Sequence, residues 1–403
     1  MIVLAGADLV LPDRVVPAGS LVIDAGRILA IESRSIDGPA GATRLDLAGH
    51  VIVPGFVDVH VHGLEGIDVL DGAAAIAGVA ARLPKYGVTA FCPTSVACGP
   101  AALATMLIAV GAARRSPAAR SARVLPAHLE SNFINPEWSG AQPRRCLRRP
   151  PQKAEGRRQK AQGDAEAEFA GDEILAAIAA ARESVGIITL APELPGGMDL
   201  VRDFIAAGHR VSIGHTGATY DEARAAIAAG VGHATHLFNR MTPMASRAPG
   251  VVGAVLESDA VAAELICDGF HVHPALMATA IRAKGTRRIM AITDATAGAG
   301  LAVGTRARLG GQTIVVTGRT AELEDGTVAG SVLTMDAAFR TLVDRLGLPL
   351  VEAARMCATT PAAELGLADR GALASGLAAD LVVFGPGLRV RQTYIDGVAA
   401  LEH

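Results

Sequence analysis

The middle of the chain repeats one unit, a short apolar strand followed by a helix, eight times. Eight such units predict an α/β fold, a (β/α)8 TIM-like barrel, in which functional groups lie at the C-terminal ends of the strands. The predicted strands are 54–63, 87–94, 122–130, 186–193, 210–215, two that end near 236 and 267, and 288–294.

Both ends of the chain consist of short apolar runs separated by turn residues. Runs at 2–4, 20–23 and 28–31 are matched near the other end by runs at 379–384 and 390–395. Such alternation predicts strands. The simplest interpretation is that the two termini, 1–50 and 371–403, pair into one small β-sandwich domain beside a catalytic barrel of 51–370.

Composition narrows the class of protein. The 403 residues carry a net charge of −3, which gives no general attraction to nucleic acid or to a membrane surface. No apolar run reaches the length of about 18 residues that a transmembrane helix needs, and the first residues lack the basic region of a signal peptide. The five cysteines are scattered without a CxxC pair, which favours a reducing compartment. We therefore expect a cytoplasmic protein.

One basic segment, 144–163, interrupts the pattern between the third strand and its helix. A basic run can bind nucleic acid or phosphate. No aromatic residues alternate with these cations, however, so the segment is predicted to be a solvated loop. Nucleic-acid binding is the weakest alternative, and a steep salt dependence would be its sign.

The first barrel strand contains two histidines two residues apart, His60 and His62. Side chains at positions i and i+2 leave the same face of a strand, so these two imidazoles can converge on one point. Neutral imidazoles at a strand end are good ligands for zinc or iron. The alternative is a histidine pair packed inside the barrel.

Polar residues also end four other strands: Glu130, His215, His236 and Asp294. Each alone could be a cap, an ion-pair partner or a buried histidine, but together they favour a divalent metal site. Glu130, His215 and His236 are predicted to hold one ion and to leave a position for water. The histidine pair of the first strand would complete a second site with Glu130 as the bridge, and Asp294 would be the general base.

Several motifs occur together along the chain. They are PGFVDVHVHG at 54–63, HLE at 128–130, GHT at 214–216, HLFNRM at 236–241, CDGFHVHP at 267–274, TDA at 293–295 and VAGS at 328–331. Over nearly its whole length the chain resembles the amidohydrolase superfamily and, within it, the N-acetylglucosamine-6-phosphate deacetylases.

The resemblance implies a hydrolase that converts N-acetyl-D-glucosamine 6-phosphate to D-glucosamine 6-phosphate and acetate. It implies one or two divalent ions, zinc or iron, held by Glu130, His215 and His236, with Asp294 as the catalytic acid and base. Because His60 and His62 are retained, the chain resembles the members with two ions.

The resemblance also implies a set of substrate contacts. Arg247, the backbone around Asn239 and Arg240, and His271 would hold the phosphate, with His271 reaching in from the neighbouring subunit of a homodimer. Other residues would contact the acetamide or line the sugar pocket: Ala141, Gln142, Asp268, Val328, Ala329 and Gly330. Read without the resemblance, Arg247 is a surface arginine before a turn and His271 a histidine leading into a helix.

Three departures from the family pattern and three alternatives remain. The chain has Ser131-Asn132 where Gly-Pro is common, Arg240 where a small residue is usual, and the basic segment 144–163 where the family has a different loop. The alternatives are an N-acetylgalactosamine-6-phosphate deacetylase, an amidohydrolase of cyclic amides, and a barrel that binds sugar phosphate without catalysis. No lysine lies between Lys160 and Lys284, which counts against the carboxylated lysine that many ring-opening enzymes use. A missing ligand or base would favour the non-catalytic barrel, and none is missing.

Overall fold

The computed structural model describes residues 1–154, 157–159 and 168–401. Part of the predicted basic loop, 155–156 and 160–163, therefore lies outside the described residues. Within the described ranges, no helix combines the length and the apolar character that crossing a bilayer requires.

The strands and helices alternate through the middle of the chain. In chain order the strands are β1 (Ile2–Val10), β2 (Val15–Asp24), β3 (Arg27–Glu32), β4 (Thr43–Asp46), β5 (Val51–Pro54), β6 (Phe56–Val61), β7 (Gly63–Leu64), β8 (Ile67–Asp68), β9 (Val88–Ser95), β10 (Arg123–Val124), β11 (Ala127–Glu130), β12 (Gln152–Ala154), β13 (Arg157–Gln159), β14 (Val185–Leu190), β15 (Arg210–Ile213), β16 (His233–Ala234), β17 (Ala262–Ile266), β18 (Ile289–Ile292), β19 (Arg306–Leu309), β20 (Gln312–Val316), β21 (Ala321–Leu323), β22 (Leu381–Gly385), β23 (Arg389–Ile395) and β24 (Val398–Ala399). The helices are α1 (Ala75–Arg82), α2 (Pro100–Arg115), α3 (Gly171–Ala180), α4 (Gly197–Ala206), α5 (Tyr220–Ala228), α6 (Gly250–Glu257), α7 (Pro274–Lys284), α8 (Met335–Arg340), α9 (Leu350–Ala354) and α10 (Thr360–Glu364).

Eight parallel strands form the barrel, in the order β6, β9, β11, β14, β15, β16, β17 and β18. The sheet closes where the chain leaves β18. There the N–H of Asp294 donates to the carbonyl of His60 at 3.0 Å, and the N–H of His62 donates to the carbonyl of Ala295 at 2.8 Å. The predicted (β/α)8 barrel is confirmed. The hydrogen bonds that close it join the end of β6, which carries His60, to the segment after β18, which carries Asp294.

The barrel strands form because their residues are apolar on both faces. Every residue of β6 and of β9 is buried, as expected for parallel strands that are covered by helices. Polar side chains within the barrel strands, among them Asp58, His128 and Glu264, are buried as well. Buried polar groups need partners, and these residues supply partners to the site.

The two termini form one mixed sheet, in the order β24, β23, β22, β5, β1, β2, β3, with β4 beside β1. Strand β5 pairs with β22 in antiparallel and with β1 in parallel fashion, so this sheet extends past residue 50. A separate sheet built from both termini was predicted and is confirmed. The division into domains at residues 50 and 370 stays a prediction.

Three phenylalanines join the terminal sheet to the barrel. The rings of Phe56, Phe339 and Phe384 have centroids 5.2 to 6.0 Å apart, and all three side chains are fully buried. Such aromatic pairs stabilise a core beyond their buried area. Because Phe56 begins β6, this cluster fixes the strand that carries the predicted histidine ligands.

The basic segment is not solvated throughout. Arg148 is buried, with its guanidinium 3.7 Å from the centre of the Phe169 ring, and it donates to the carbonyl oxygen of Phe169 at 2.6 Å. Its Nη1 donates to the carbonyl oxygens of Arg145 and Leu147, each at 2.7 Å. At this residue the structure differs from the predicted solvated loop, because a guanidinium can stack on a ring and saturate several carbonyls at once.

Candidate metal centre and substrate pocket

Four histidines and two carboxylates converge where the barrel strands end. Glu130 lies at the centre, with its Oε1 2.9 Å from Nε2 of His236 and 3.0 Å from Nε2 of His215. The Nε2 atoms of His60 and His62 each lie 3.6 Å from a Glu130 oxygen. The structure therefore brings together the residues that the sequence proposes as ligands.

Hydrogen bonds on the far side of the rings fix the imidazole tautomers. The Nδ1–H of His62 donates to the carbonyl of Thr94, and that of His215 donates to the carbonyl of Trp138, each at 2.9 Å. The Nδ1–H of His60 donates to Glu264 at 2.9 Å. A protonated Nδ1 leaves Nε2 with a free lone pair. These three rings therefore direct their lone pairs into the cluster.

The spacing of these lone pairs fits a metal ion. The two Nε2 atoms of the pair His60 and His62 are 3.1 Å apart, and those of His215 and His236 are 3.0 Å apart. A tetrahedral zinc with Zn–N bonds of 2.0–2.1 Å separates two ligand atoms by about 3.3 Å. Two lone pairs that face each other at the distance found between His60 and His62 repel unless a cation lies between them. Each pair forms a compact three-residue group with Glu130, so the cluster fits a divalent metal site with Glu130 shared.

The charges of the cluster favour a cation. Burial lowers the pKa of His60, but the nearby carboxylates of Glu264 and Asp294 outweigh burial and raise that pKa to about 10. Burial likewise raises the pKa of Glu130, yet the charges and hydrogen bonds of His215 and its neighbours hold it well below the usual range. Ionised carboxylates thus surround the histidine rings. When these rings are neutral, as metal ligands are, the negative charge of the carboxylates stabilises a bound cation.

Asp294 is an ionised carboxylate beside the histidine pair. Its Oδ1 lies 3.2 Å from Nε2 of His62 and 3.4 Å from Nε2 of His60. Burial raises the pKa of Asp294, but the two histidines outweigh that effect and hold the pKa below its ordinary value. At neutral pH the group can therefore accept a proton.

Three of the converging residues have a left-handed backbone. The φ angles of His215, His236 and Asp294 are 47°, 32° and 51°. Residues other than glycine rarely adopt this conformation, and such strain is concentrated at functional sites. In each case the chain turns sharply at the end of its strand, which points the side chain across the barrel mouth.

A cavity of about 530 Å³ opens above the cluster. Most of the substrate contacts proposed from the sequence line it: Ala141, Gln142, Asn239, Arg240, His271, Val328 and Gly330. Phe270 and Trp138 add apolar surface to its walls. Apolar walls with a few polar groups are typical of a small-molecule site.

Gln142 contacts the cluster itself. Its Nε2 donates to Oε2 of Glu130, and its Oε1 accepts the N–H of Ala97 at 2.7 Å. The side-chain amide is therefore oriented by the backbone and holds one oxygen of the shared carboxylate. This contact adds to the role near the acetamide that the resemblance implies.

Three of the proposed substrate residues lie away from the cavity lining. Arg247 lies on the exposed segment 243–248. Asp268 accepts Nδ1–H of His271 at 2.6 Å, so it orients that ring. Ala329 is buried in a small apolar cluster with Val96 and Ile314. Their direct contact with substrate stays a prediction.

His271 lies in the cavity of its own chain. The turn at 268–271, which Asp268 caps through the N–H groups of Phe270 and His271 at 2.8 and 2.9 Å, directs the ring toward this cavity. A contact of His271 with the active site of a neighbouring subunit stays a prediction.

The departure Ser131-Asn132 fixes the loop after Glu130. Ser131 Oγ donates to the carbonyl of Thr189 at 2.6 Å, and Asn132 Nδ2 donates to the carbonyls of Cys98 and Cys146 at 2.8 and 2.7 Å. Both side chains are buried. These residues therefore tie the ligand loop to the neighbouring strand and to the start of the basic segment.

Sequence reasoning missed Glu264 and Trp138, which accept hydrogen bonds from the Nδ1 atoms of the proposed ligands His60 and His215. Glu264 carried a signal, since it is the one acid within the apolar strand β17. Trp138 is the only tryptophan of the chain, but the contact of its carbonyl with His215 left no trace in the sequence. Partners that act through backbone atoms are invisible to residue-type patterns.

A (β/α)8 barrel with such a histidine and carboxylate cluster at its catalytic face is the architecture of metal-dependent hydrolases. The sequence model of the family described as Amidohydrolase family matches residues 51–400. The chain belongs to this family, and the resemblance seen in the sequence is confirmed.

Similar proteins cover nearly the whole chain. An N-acetylglucosamine-6-phosphate deacetylase of Lysinibacillus sphaericus is 35% identical over 362 residues, 88% of this chain and 86% of that protein. An N-acetylgalactosamine-6-phosphate deacetylase of Escherichia coli O157:H7 is 34% identical over 366 residues, 90% of each. The solved N-acetyl-D-glucosamine-6-phosphate deacetylase of Mycobacterium smegmatis, a variant in complex with N-acetyl-D-glucosamine-6-phosphate, has a TM-score of 0.87 and 31% identity, covering 100% of this chain and 99% of that one.

Proposed function

We propose that this protein is a metal-dependent deacetylase that converts N-acetyl-D-glucosamine 6-phosphate to D-glucosamine 6-phosphate and acetate. The observation that carries the proposal is the cluster in which Glu130 lies between two histidine pairs with the ionised Asp294 beside it. Deacetylases of this name are similar over nearly the full chain. The cavity above the cluster has room for a sugar phosphate.

In this proposal the chain's own groups orient the reactants and move the proton. A divalent metal, when bound, supplies a Lewis acid for the carbonyl and lowers the pKa of the attacking water. Asp294 takes a proton from that water and delivers it to the departing nitrogen. Gln142 holds one oxygen of Glu130, which keeps the shared carboxylate in one orientation during the reaction.

The phosphate would bind at the mouth of the cavity. Arg240, Asn239 and His271 line the cavity. The side chain of Arg240 is exposed, and within the described ranges no carboxylate lies within ion-pair distance of it. A free guanidinium suits a phosphate dianion, since it can donate two parallel hydrogen bonds.

The galactosamine epimer is the second candidate substrate. The Escherichia coli relative that carries this name is 34% identical over 90% of the chain, close to the 35% of the Lysinibacillus sphaericus glucosamine relative. The two sugars differ only in the configuration at C4. The cavity residues that reach this carbon would therefore set the preference.

The proposal also covers the identity of the metal ion, the oligomeric state and the cellular compartment. We propose zinc or iron as the ion, because imidazole and carboxylate ligands suit both. We propose a cytoplasmic homodimer; the five cysteines are free thiols in the structure, which accords with a reducing compartment. Sedimentation equilibrium tests the dimer, in which His271 would reach into the neighbouring active site.

Steady-state release of acetate from three sugars tests the substrate. We expect kcat/KM for N-acetylglucosamine 6-phosphate to exceed that for the unphosphorylated sugar by about 100-fold, the worth of one or two charge-assisted contacts. The galactosamine epimer should be about tenfold slower or worse. A reversed preference would establish the epimer as the substrate, and binding without turnover would favour the non-catalytic barrel.

A further inference from the structure

A single buried carboxylate lies beneath the cluster and contacts residues from both histidine pairs. Glu264, on strand β17, is fully buried. Its Oε2 accepts Nδ1–H of His60 at 2.9 Å and also the backbone N–H of His236 at 3.1 Å. Its other oxygen, Oε1, accepts Nε2–H of His233 at 2.8 Å.

We propose that Glu264 is the positioning residue that makes the His60 and His62 pair competent to hold a metal ion. The inference rests on the proposed metal centre. No role for this residue follows from the ligand motifs, since it contacts neither the cavity nor the ligand-facing nitrogen atoms. It acts through His60 on one side and through the backbone of His236 on the other.

The first step of the argument concerns the tautomer of His60. A metal ligand must present a bare Nε2, so the ring proton has to reside on Nδ1. In the structure a charged acceptor lies 2.9 Å from Nδ1 and is itself desolvated. Hydrogen bonds to a charged group are about twice as strong as neutral ones. Glu264 therefore holds the proton on the side of the ring away from the cluster.

The second step concerns the backbone of His236. Its φ of 32° is rare for a residue other than glycine. Glu264 clamps this turn twice, because its side chain accepts the N–H of His236 at 3.1 Å and its carbonyl accepts the N–H of Leu237 at 2.9 Å. The same carboxylate oxygen that fixes His60 thus also fixes the strained turn that carries a ligand of the other pair.

His128, which lies beside Glu264, does not form a further metal site with it. The ligand atoms of His60, His128 and Glu264 lie within 4.8 Å of one another, which by itself could suggest a third ion site. However, both ring nitrogens of His128 have protein partners, the carbonyl of Val59 at 3.1 Å and Oγ1 of Thr189 at 2.7 Å. This group is therefore a hydrogen-bonded support beneath the cluster.

Glu264→Gln tests the proposal with almost no change of shape. Glutamine offers one acceptor oxygen and one NH2 group, whereas three N–H donors point at the native carboxylate. If the NH2 group faces His60, the ring has to move its proton to Nε2, where it blocks the ligand lone pair. Loss of such a supporting carboxylate typically weakens metal affinity by 10- to 100-fold.

The measurement is a titration of metal-free protein with Co²⁺, following heat and the visible absorption of the bound ion. We expect wild type to bind two ions per chain. In Glu264→Gln, one ion should keep nearly its wild-type affinity, because the bond from the N–H of Leu237 to the carbonyl of residue 264 still holds the turn of His236, and the second should bind 10- to 100-fold more weakly. His233→Gln is the matched control, because it disturbs Glu264 from the other side and keeps an N–H donor there. Its stoichiometry and affinities should equal those of wild type.

Each outcome decides the matter. Equal stoichiometry and affinities in wild type and Glu264→Gln, whether one ion or two, overturn the inference. Weakening of both ions equally, or the same loss in His233→Gln, shows a general structural role and also overturns it. A wild type that binds no ion overturns the proposed metal centre itself. Should Glu264→Gln fail to fold, Glu264→Asp, whose shorter side chain cannot span both His60 and His233, is titrated in its place, with the same expectation.

Discussion

Replacing Arg370 by methionine should destabilise the protein in a strongly pH-dependent manner. Arg370 donates to Asp380 at 2.5 Å, and these two side chains are only 8% and 1% exposed. Asp380 also accepts the N–H of Asp396 at 2.7 Å. This buried ion pair ties the segment after α10 to the residue that precedes strand β22 of the terminal sheet.

The magnitude follows from the pKa of Asp380. Burial raises this pKa from 3.8 to about 6 even though Arg370 lowers it. A rise of about 2 units corresponds to about 3 kcal/mol of stability lost as the pH rises from below 3.8 through 6, because the folded state holds its proton longer than the unfolded state. Without the arginine the pKa rises further, and an uncompensated buried charge costs about 3–5 kcal/mol.

Urea unfolding at two pH values measures this effect. We expect Arg370→Met to lower the free energy of unfolding by about 3 kcal/mol at pH 7.5 and by about 1 kcal/mol or less at pH 5, where Asp380 is protonated in both proteins. Arg14→Met is the control, since its ion pair with Asp13 is exposed and should contribute about 0.5 kcal/mol at most. A loss at pH 7.5 no larger than the control, or one that does not shrink at pH 5, would refute the reasoning.

Two further predictions concern the site. Asp294→Asn should lower kcat for acetate release by about 10²- to 10⁴-fold, because the amide cannot accept the proton; a variant within twofold of wild type would exclude Asp294 as the base. Arg240→Ala should raise KM for the phosphorylated sugar by about tenfold, the worth of one charge-assisted hydrogen bond, without affecting the unphosphorylated sugar. Arg306→Ala, at an exposed arginine paired with Glu324, serves as its control, and an equal change of KM for both sugars would place Arg240 away from the phosphate.

Features of the fold that depend on local pattern could be predicted from the sequence. The barrel strands are apolar runs bounded by turns, so each was located within a few residues. The sixth strand ends at Ala234, two residues before the predicted end near 236, because His236 adopts a left-handed backbone that cannot continue a strand. The left-handed turn that positions this histidine therefore also ends the strand earlier than the apolar pattern of the sequence indicates.

The converging residues could be predicted because their strands all end at one rim. What the sequence did not reveal is the set of long-range partners. Glu264 meets His60 across 204 residues, and Trp138 meets His215 through a carbonyl. Such contacts depend on which strands are neighbours and on loop geometry. The exposed position of Arg247 accords with its interpretation without the resemblance, a surface arginine before a turn.

Metal-dependent release of acetate from N-acetylglucosamine 6-phosphate is the most direct measurement of the proposed chemistry. Acetate is measured with the purified protein, after removal of metal by a chelator, and after stoichiometric Zn²⁺ or Fe²⁺ is restored. We predict that chelation abolishes turnover and that one of the two ions restores it, with one acetate formed per glucosamine 6-phosphate. Undiminished turnover in metal-free protein, or no turnover in a folded protein with both ions bound, would contradict the proposed function.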